Sequence, residues 1–99
     1  MPAFLCKGAR MRRFKFTLDN GVTLNIMPPT LRMYYKELRT AENDAQLFVA
    51  VAHICNRNDE NIEITEEYII DNFTTDDFRR FMRELPSWIE NERSANPNS

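Results

Sequence analysis

The stretch NDAQLFVAVAHICN, residues Asn43 to Asn56, is the longest apolar run in the chain and decides how the rest is read. Leu47, Phe48, Val51, Ile54 and Cys55 recur at helical spacing, so the run predicts a helix with one buried stripe. Its opposite face carries Val49, Ala50 and Ala52 instead of charges. A helix that is apolar on most sides is a central one, and the flanking segments read as the elements that wrap it. Its start is marked by Asn43 with Gln46 three residues on, the pattern of a capping box, and by Asp44 in the first turn, where the helix dipole favours an acid.

Immediately upstream, Met27-Pro28-Pro29 holds the chain extended and then presets a helix start near Pro29. Leu31, Tyr34, Tyr35 and Leu38 follow at i, i+3, i+4 and i+7, with Arg32, Lys36, Glu37 and Arg39 outside, and this helix is expected to end near Thr40. Further upstream, Phe14, Phe16 and Leu18 alternate with polar residues, and so do Val22, Leu24 and Ile26 after Asp19-Asn20-Gly21. These are two strands around a turn. A two-residue Asn20-Gly21 loop would set apolar side chains opposite polar ones. A three-residue loop with Gly21 left-handed pairs Leu18 with Val22, Phe16 with Leu24 and Phe14 with Ile26, and is the expected register. A lone hairpin is marginal in water, so its apolar face must lie on the helices. Residues 1–10 show no periodicity and read as a loose arm, and Met11, where regularity begins, is a conceivable alternative start.

Downstream of the central helix, Asn56 to Asn61 read as a solvated turn of residues that bond their own backbone. Ile62 and Ile64 alternate briefly. Thr65 then caps a short helix containing Glu66, Glu67, Ile69, Ile70 and Phe73. Thr74 to Asp77 repeat the device ahead of Phe78, Phe81, Met82 and Leu85. Arg79, Arg80, Arg83 and Glu84 lie outside, with Asp76–Arg80 and Arg80–Glu84 at helical pair spacing. Pro86 is expected to end or kink this helix, Ser87-Trp88-Ile89 to add at most one turn, and the tail from about Arg93 to be disordered.

The totals agree with one small domain. Ninety-nine residues, 42% hydrophobic and 28% charged, suit a soluble globular chain. No apolar run approaches the roughly 20 residues of a membrane span, and the basic residues follow rather than precede the short N-terminal apolar patch, the reverse of a signal peptide. A cytoplasmic home is expected. Cys6 and Cys55 form no CxxC pair and are expected to be reduced. Residues 1–18 hold five basic and no acidic side chains, and the remainder holds eight basic against fifteen acidic. An acidic body does not attract a phosphate backbone over a broad face.

Material for catalysis is sparse. The sequence has one histidine, His53, and two glycines, with no phosphate-cradling loop, no GxSxG and no metal-spaced Cys/His cluster. His53 and Cys55, two residues apart on a helix, face roughly 200° apart and do not make a nucleophile–base pair. Glu66, Glu67, Asp76 and Asp77 are explained by their places in first helical turns. No cofactor is expected. A helix-turn-helix layout can be traced from Glu66 to Leu85, but Asp76 and Asp77 would sit where a recognition helix meets base edges. A small nucleic-acid-binding regulator is the alternative reading. More apolar and aromatic side chains are present than a small core needs, and Tyr34, Tyr35, Ile70, Trp88 and Ile89 are the candidate partner-binding residues.

The order FKFTLDNGVTLNI, MPPTLRMYYKEL, LFVAVAHICNRN, ITEEYIIDNFTTDDF and a terminal WIEN…NPNS resembles the small tail assembly chaperones of phages and prophages of Gram-positive bacteria. The resemblance covers about Arg12–Ser99 and is one of layout. It implies a non-enzymatic, mostly helical protein that coats the tape measure protein, keeps it soluble and helps deliver tail tube subunits. Such families often make a longer product by frameshifting near the end of the short frame. A long amphipathic partner helix would be masked by an apolar groove, with Tyr34 or Tyr35 on one side and Ile70, Trp88 and Ile89 on the other, and repeated contacts would favour homo-oligomers. The expected architecture is α+β: an N-terminal β-hairpin followed by about four helices, over residues 11–93.

Overall fold

The computed structural model describes residues 12–95. Strand β1 (Phe14–Thr17) pairs antiparallel with β2 (Thr23–Ile26), Phe14 opposite Ile26 and Phe16 opposite Leu24. Leu18 N–H donates to Val22 O at 2.8 Å, Gly21 N–H donates to Leu18 O at 2.9 Å, and Gly21 has φ +97°. The three-residue turn is therefore the one that hydrophobic pairing demanded, with glycine at its left-handed position. Phe14, Phe16, Leu18, Leu24 and Ile26 are all buried.

The hairpin is followed by four helical elements: a π-helix over Arg32–Leu38, then α1 (Asp44–Cys55), α2 (Glu66–Asn72) and α3 (Thr75–Ala95). The fold is α+β and mainly helical. Helix α1 is the central one. Ala50, Val51, Ala52, Ile54 and Cys55 are buried, and it packs on the π-helix, α2 and β2. From Val49 to Cys55 only Val49 and His53 face out. Asn43 Oδ1 accepts from Gln46 N–H at 2.9 Å, while the Gln46 side chain reaches back to Glu42 N–H at 2.8 Å, a capping box displaced by one residue.

Three expectations are corrected. Leu31 is 77% exposed, not part of a buried stripe with Leu38. The cause is the winding. Arg39 N–H donates to Tyr34 O, an i→i+5 bond, and a π-helix advances roughly 80–85° per residue in place of 100°, so Leu31 ends about 125–160° around the axis from Leu38 in place of about 20°. Second, of the two outcomes expected at Pro86, an end does not occur: α3 continues to Ala95, past the one further turn expected. The reason is packing: Phe81, Leu85, Trp88 and Ile89 make one apolar face across the proline, and that burial outweighs a lost backbone bond of about 3 kcal/mol. Third, Arg80 bonds neither Asp76 nor Glu84. The neighbouring pairs are Arg79–Asp76 and Arg83–Glu84, and Arg80 turns inward to Asp77.

The segment after α1 does bond its own backbone, as expected. Asn58 Nδ2 donates to Cys55 O and Ile62 O, both at 2.8 Å, and Asn61 adopts φ 61°. It also covers the outer edge of β2. Met27 N–H donates to Arg57 O at 2.7 Å, Asp59 N–H donates to Asn25 O at 3.0 Å, and the Glu60 carboxylate accepts from Asn25 N–H at 2.9 Å. An open strand edge is thereby closed. The expectations for residues 1–11, including Cys6, and for 96–99 lie outside the described residues. No helix among the described residues is long and apolar enough to cross a membrane.

Candidate functional site

The continuation of α3 past Pro86 creates the site. Trp88 sits with its ring centroid 5.8 Å from that of Phe14, which anchors it on the hairpin, and Ile89 follows on the same face. Opposite them, Pro28 and Pro29 hold the connection extended, and the π-winding turns Leu31 outward beside Tyr34 and Tyr35. The Tyr34 and Tyr35 rings meet edge to face at 5.0 Å, and the Arg39 guanidinium lies 5.5 Å above the Tyr35 ring. The result is an open apolar groove of about 300 Å³, whose lining includes one ion pair, Arg12 and Glu92, 3.3 Å apart.

Four of the five residues expected to bind a partner, Tyr34, Tyr35, Trp88 and Ile89, line this groove. Ile70 does not. It is 50% exposed on α2, beside a second apolar depression of about 550 Å³ that also includes Phe48, Phe73, Phe78 and Met82. The sequence reading missed Leu31 and the two prolines as groove walls. The pattern at Leu31 is that of a core helix, and nothing local marks a π-turn. The Pro-Pro pair was a legible signal for a rigid wall, since it has no freedom to close over the groove.

A second cluster joins the hairpin turn to the start of α3. The Asp77 carboxylate is fully buried and accepts from Thr74 N–H at 3.0 Å, from Asp19 N–H at 3.0 Å and from the Arg80 guanidinium. Thr74 Oγ1 accepts from Asp77 N–H at 3.0 Å and donates to Asp19 Oδ2 at 2.7 Å. Arg80 also donates to Thr17 O at 2.9 Å and lies 4.7 Å over the Phe16 ring. This is a capping box whose acid doubles as a clamp on the β-turn. Its donors and acceptors satisfy one another, so it holds the fold together.

His53 and Cys55 are apart, as helical geometry required. His53 is exposed, with Nδ1 2.8 Å from Glu37 Oε1, while Cys55 is a buried free thiol whose pKa burial pushes up. Among the described residues no group of three or more His, Cys, Asp or Glu side chains is placed to hold a metal ion. Along the helix-turn-helix layout, Arg79 and Arg83 are paired with acids and Arg80 is occupied by the Asp77 cluster. Compared with protein-family models, with curated proteins and with solved structures, the chain has no match in any of the three.

Proposed function

We propose that this protein is a small, non-enzymatic phage tail assembly chaperone that works in the host cytoplasm, binds the tape measure protein, and helps tail tube subunits assemble around it. The layout resemblance supplies the family. The observation that carries the reading is the groove: Leu31, Tyr34, Tyr35, Trp88 and Ile89, drawn from two separate helices, converge on one open apolar cleft. A tape measure protein is a long amphipathic helix, and its apolar stripe is masked when successive side chains drop into such clefts. Seating one partner leucine against Leu31 and the tyrosines removes enough apolar surface for about 1.5–3 kcal/mol per anchor. Many weak contacts along one helix then act together, and copies bound side by side gain from touching each other.

The test is co-expression with the tape measure protein, followed by size-exclusion chromatography. The partner is expected to be soluble only with this protein and to co-elute with several copies of it. Leu31→Asp serves as the matched variant, because a side chain 77% exposed contributes little to folding. Loss of partner solubility in that variant, at unchanged melting temperature, supports the groove. A partner whose solubility ignores both the protein and the variant removes this reading.

A further inference from the structure

Arg12, the first described residue, lines the groove, so the segment that precedes it, MPAFLCKGARM, joins the fold at the groove itself. Residues 1–6 of that segment carry no charged side chain and include two large apolar ones, Phe4 and Leu5. The groove asks for such an occupant. Its two charged lining residues, Arg12 and Glu92, pair with each other and leave no net charge for an occupant to answer. Its volume, about 300 Å³, lies at the lower end of ligand-sized clefts, and Leu31 stands 77% exposed on its wall. Residues 93–99 follow Glu92 but read RSANPNS, with no large apolar side chain to offer.

We propose that the segment Pro2–Cys6 seats Phe4 and Leu5 in the groove of its own chain and is displaced when a partner binds. The docking goes beyond the chaperone reading; the displacement rests on the groove being the partner site. The tether is long enough, because the seven-residue step from Leu5 to Arg12 spans roughly 23–25 Å when extended. It is also short enough to matter. A flexible tether of this length holds its end at an effective concentration on the order of millimolar, so a contact of about millimolar Kd is half occupied with no partner present. A docking contact about tenfold tighter leaves roughly a tenth of the grooves open and weakens a partner's apparent affinity about tenfold. Chains that bind a partner would then be those whose own segment has been pushed out.

Two native residues supply the test in the full chain. Trp88 is the single tryptophan and lines the groove, and of the two cysteines Cys55 is buried, so a thiol-reactive nitroxide attaches at Cys6, next to Leu5. A nitroxide quenches tryptophan emission at short range. Quenching of Trp88 is expected to be at least about twofold greater in the labelled wild-type sequence than in labelled Phe4→Asp/Leu5→Asp, whose tether is the same but whose apolar pair is gone. Labelled Leu31→Asp, altered on the groove side, is expected to lose the excess as well. Adding an unlabelled helical peptide of about 20 residues with a leucine stripe is expected to restore the emission of the labelled wild-type sequence.

Equal quenching in the wild-type sequence and in Phe4→Asp/Leu5→Asp overturns the docking and leaves the groove free for a partner. Excess quenching that a saturating peptide does not relieve upholds the docking and overturns the displacement, and with it the groove as partner site. Quenching that falls on dilution, or that appears when labelled Trp88→Phe chains are mixed with unlabelled wild type, assigns the segment to a second copy and overturns docking within one chain.

Discussion

Replacing Asp77 is expected to be the most damaging single polar change in this molecule. Its carboxylate is fully buried, and its removal strands three donors together: Thr74 N–H, Asp19 N–H and the Arg80 guanidinium, whose side chain is 28% exposed. A buried N–H left without an acceptor costs about 1–3 kcal/mol, and breaking a buried ion pair from one side costs about 3–5 kcal/mol. These contributions overlap, because Arg80 can swing towards Asp19 Oδ1, already 3.7 Å away. About 3–5 kcal/mol is therefore expected for Asp77→Ala. Asp77→Asn keeps the shape and one acceptor oxygen but loses the charge, and about 2–3 kcal/mol is expected for it. The adjacent acid is the control. Asp76 is 73% exposed with an exposed Arg79 partner, so Asp76→Asn is expected to cost less than about 0.5 kcal/mol. Urea unfolding, followed by Trp88 fluorescence and by far-ultraviolet circular dichroism, measures all three. A domain of this size has about 5–15 kcal/mol in total, so the alanine variant should approach the edge of folding. If Asp77→Ala costs no more than Asp76→Asn, the claim that this carboxylate clamps the turn to α3 is wrong.

Three further outcomes are expected. Pro86→Ala restores a backbone donor within a helix that is already continuous, and should raise stability by about 1–3 kcal/mol, seen as an increase in melting temperature. Glu60 has its pKa lowered, first by the backbone N–H of Asn25 and then by that residue's side chain. A lowered pKa means stability present above the unfolded value near 4.5 and lost as pH falls through the folded one, so wild type should lose more stability than Glu60→Gln between about pH 5 and pH 3. Cys55, buried and with its thiol pKa raised, should resist alkylation by iodoacetamide in the native protein and label fully in urea, as read by mass spectrometry of the peptide that contains it.

The hairpin was legible in full, down to its register, because a period of two lets only one pairing put Phe14, Phe16 and Leu18 on the same side as Ile26, Leu24 and Val22. Helix starts were legible for a similar reason: Asn43, Thr65 and Thr74 cap through side chains that bond the backbone three residues on, a local interaction written in local sequence. The centrality of α1 followed from its lack of charges.

What the tertiary structure alone decided is where local rules compete with packing. Pro86 sits inside a helix because the apolar face on either side of it lies on the hairpin, and no window around the proline contains that information. Leu31 faces solvent because the chain between two prolines and α1 winds as a π-helix that buries Leu38 while it packs on α1. Asp77 looked like one of two equivalent first-turn acids next to Asp76, and only the docking of the β-turn separates a buried clamp from a solvated charge. The partner groove has the same origin. Its residues were recognisable individually as surplus apolar surface, but their convergence, and the exclusion of Ile70, depends on how α3 packs on the hairpin and the π-helix packs on α1.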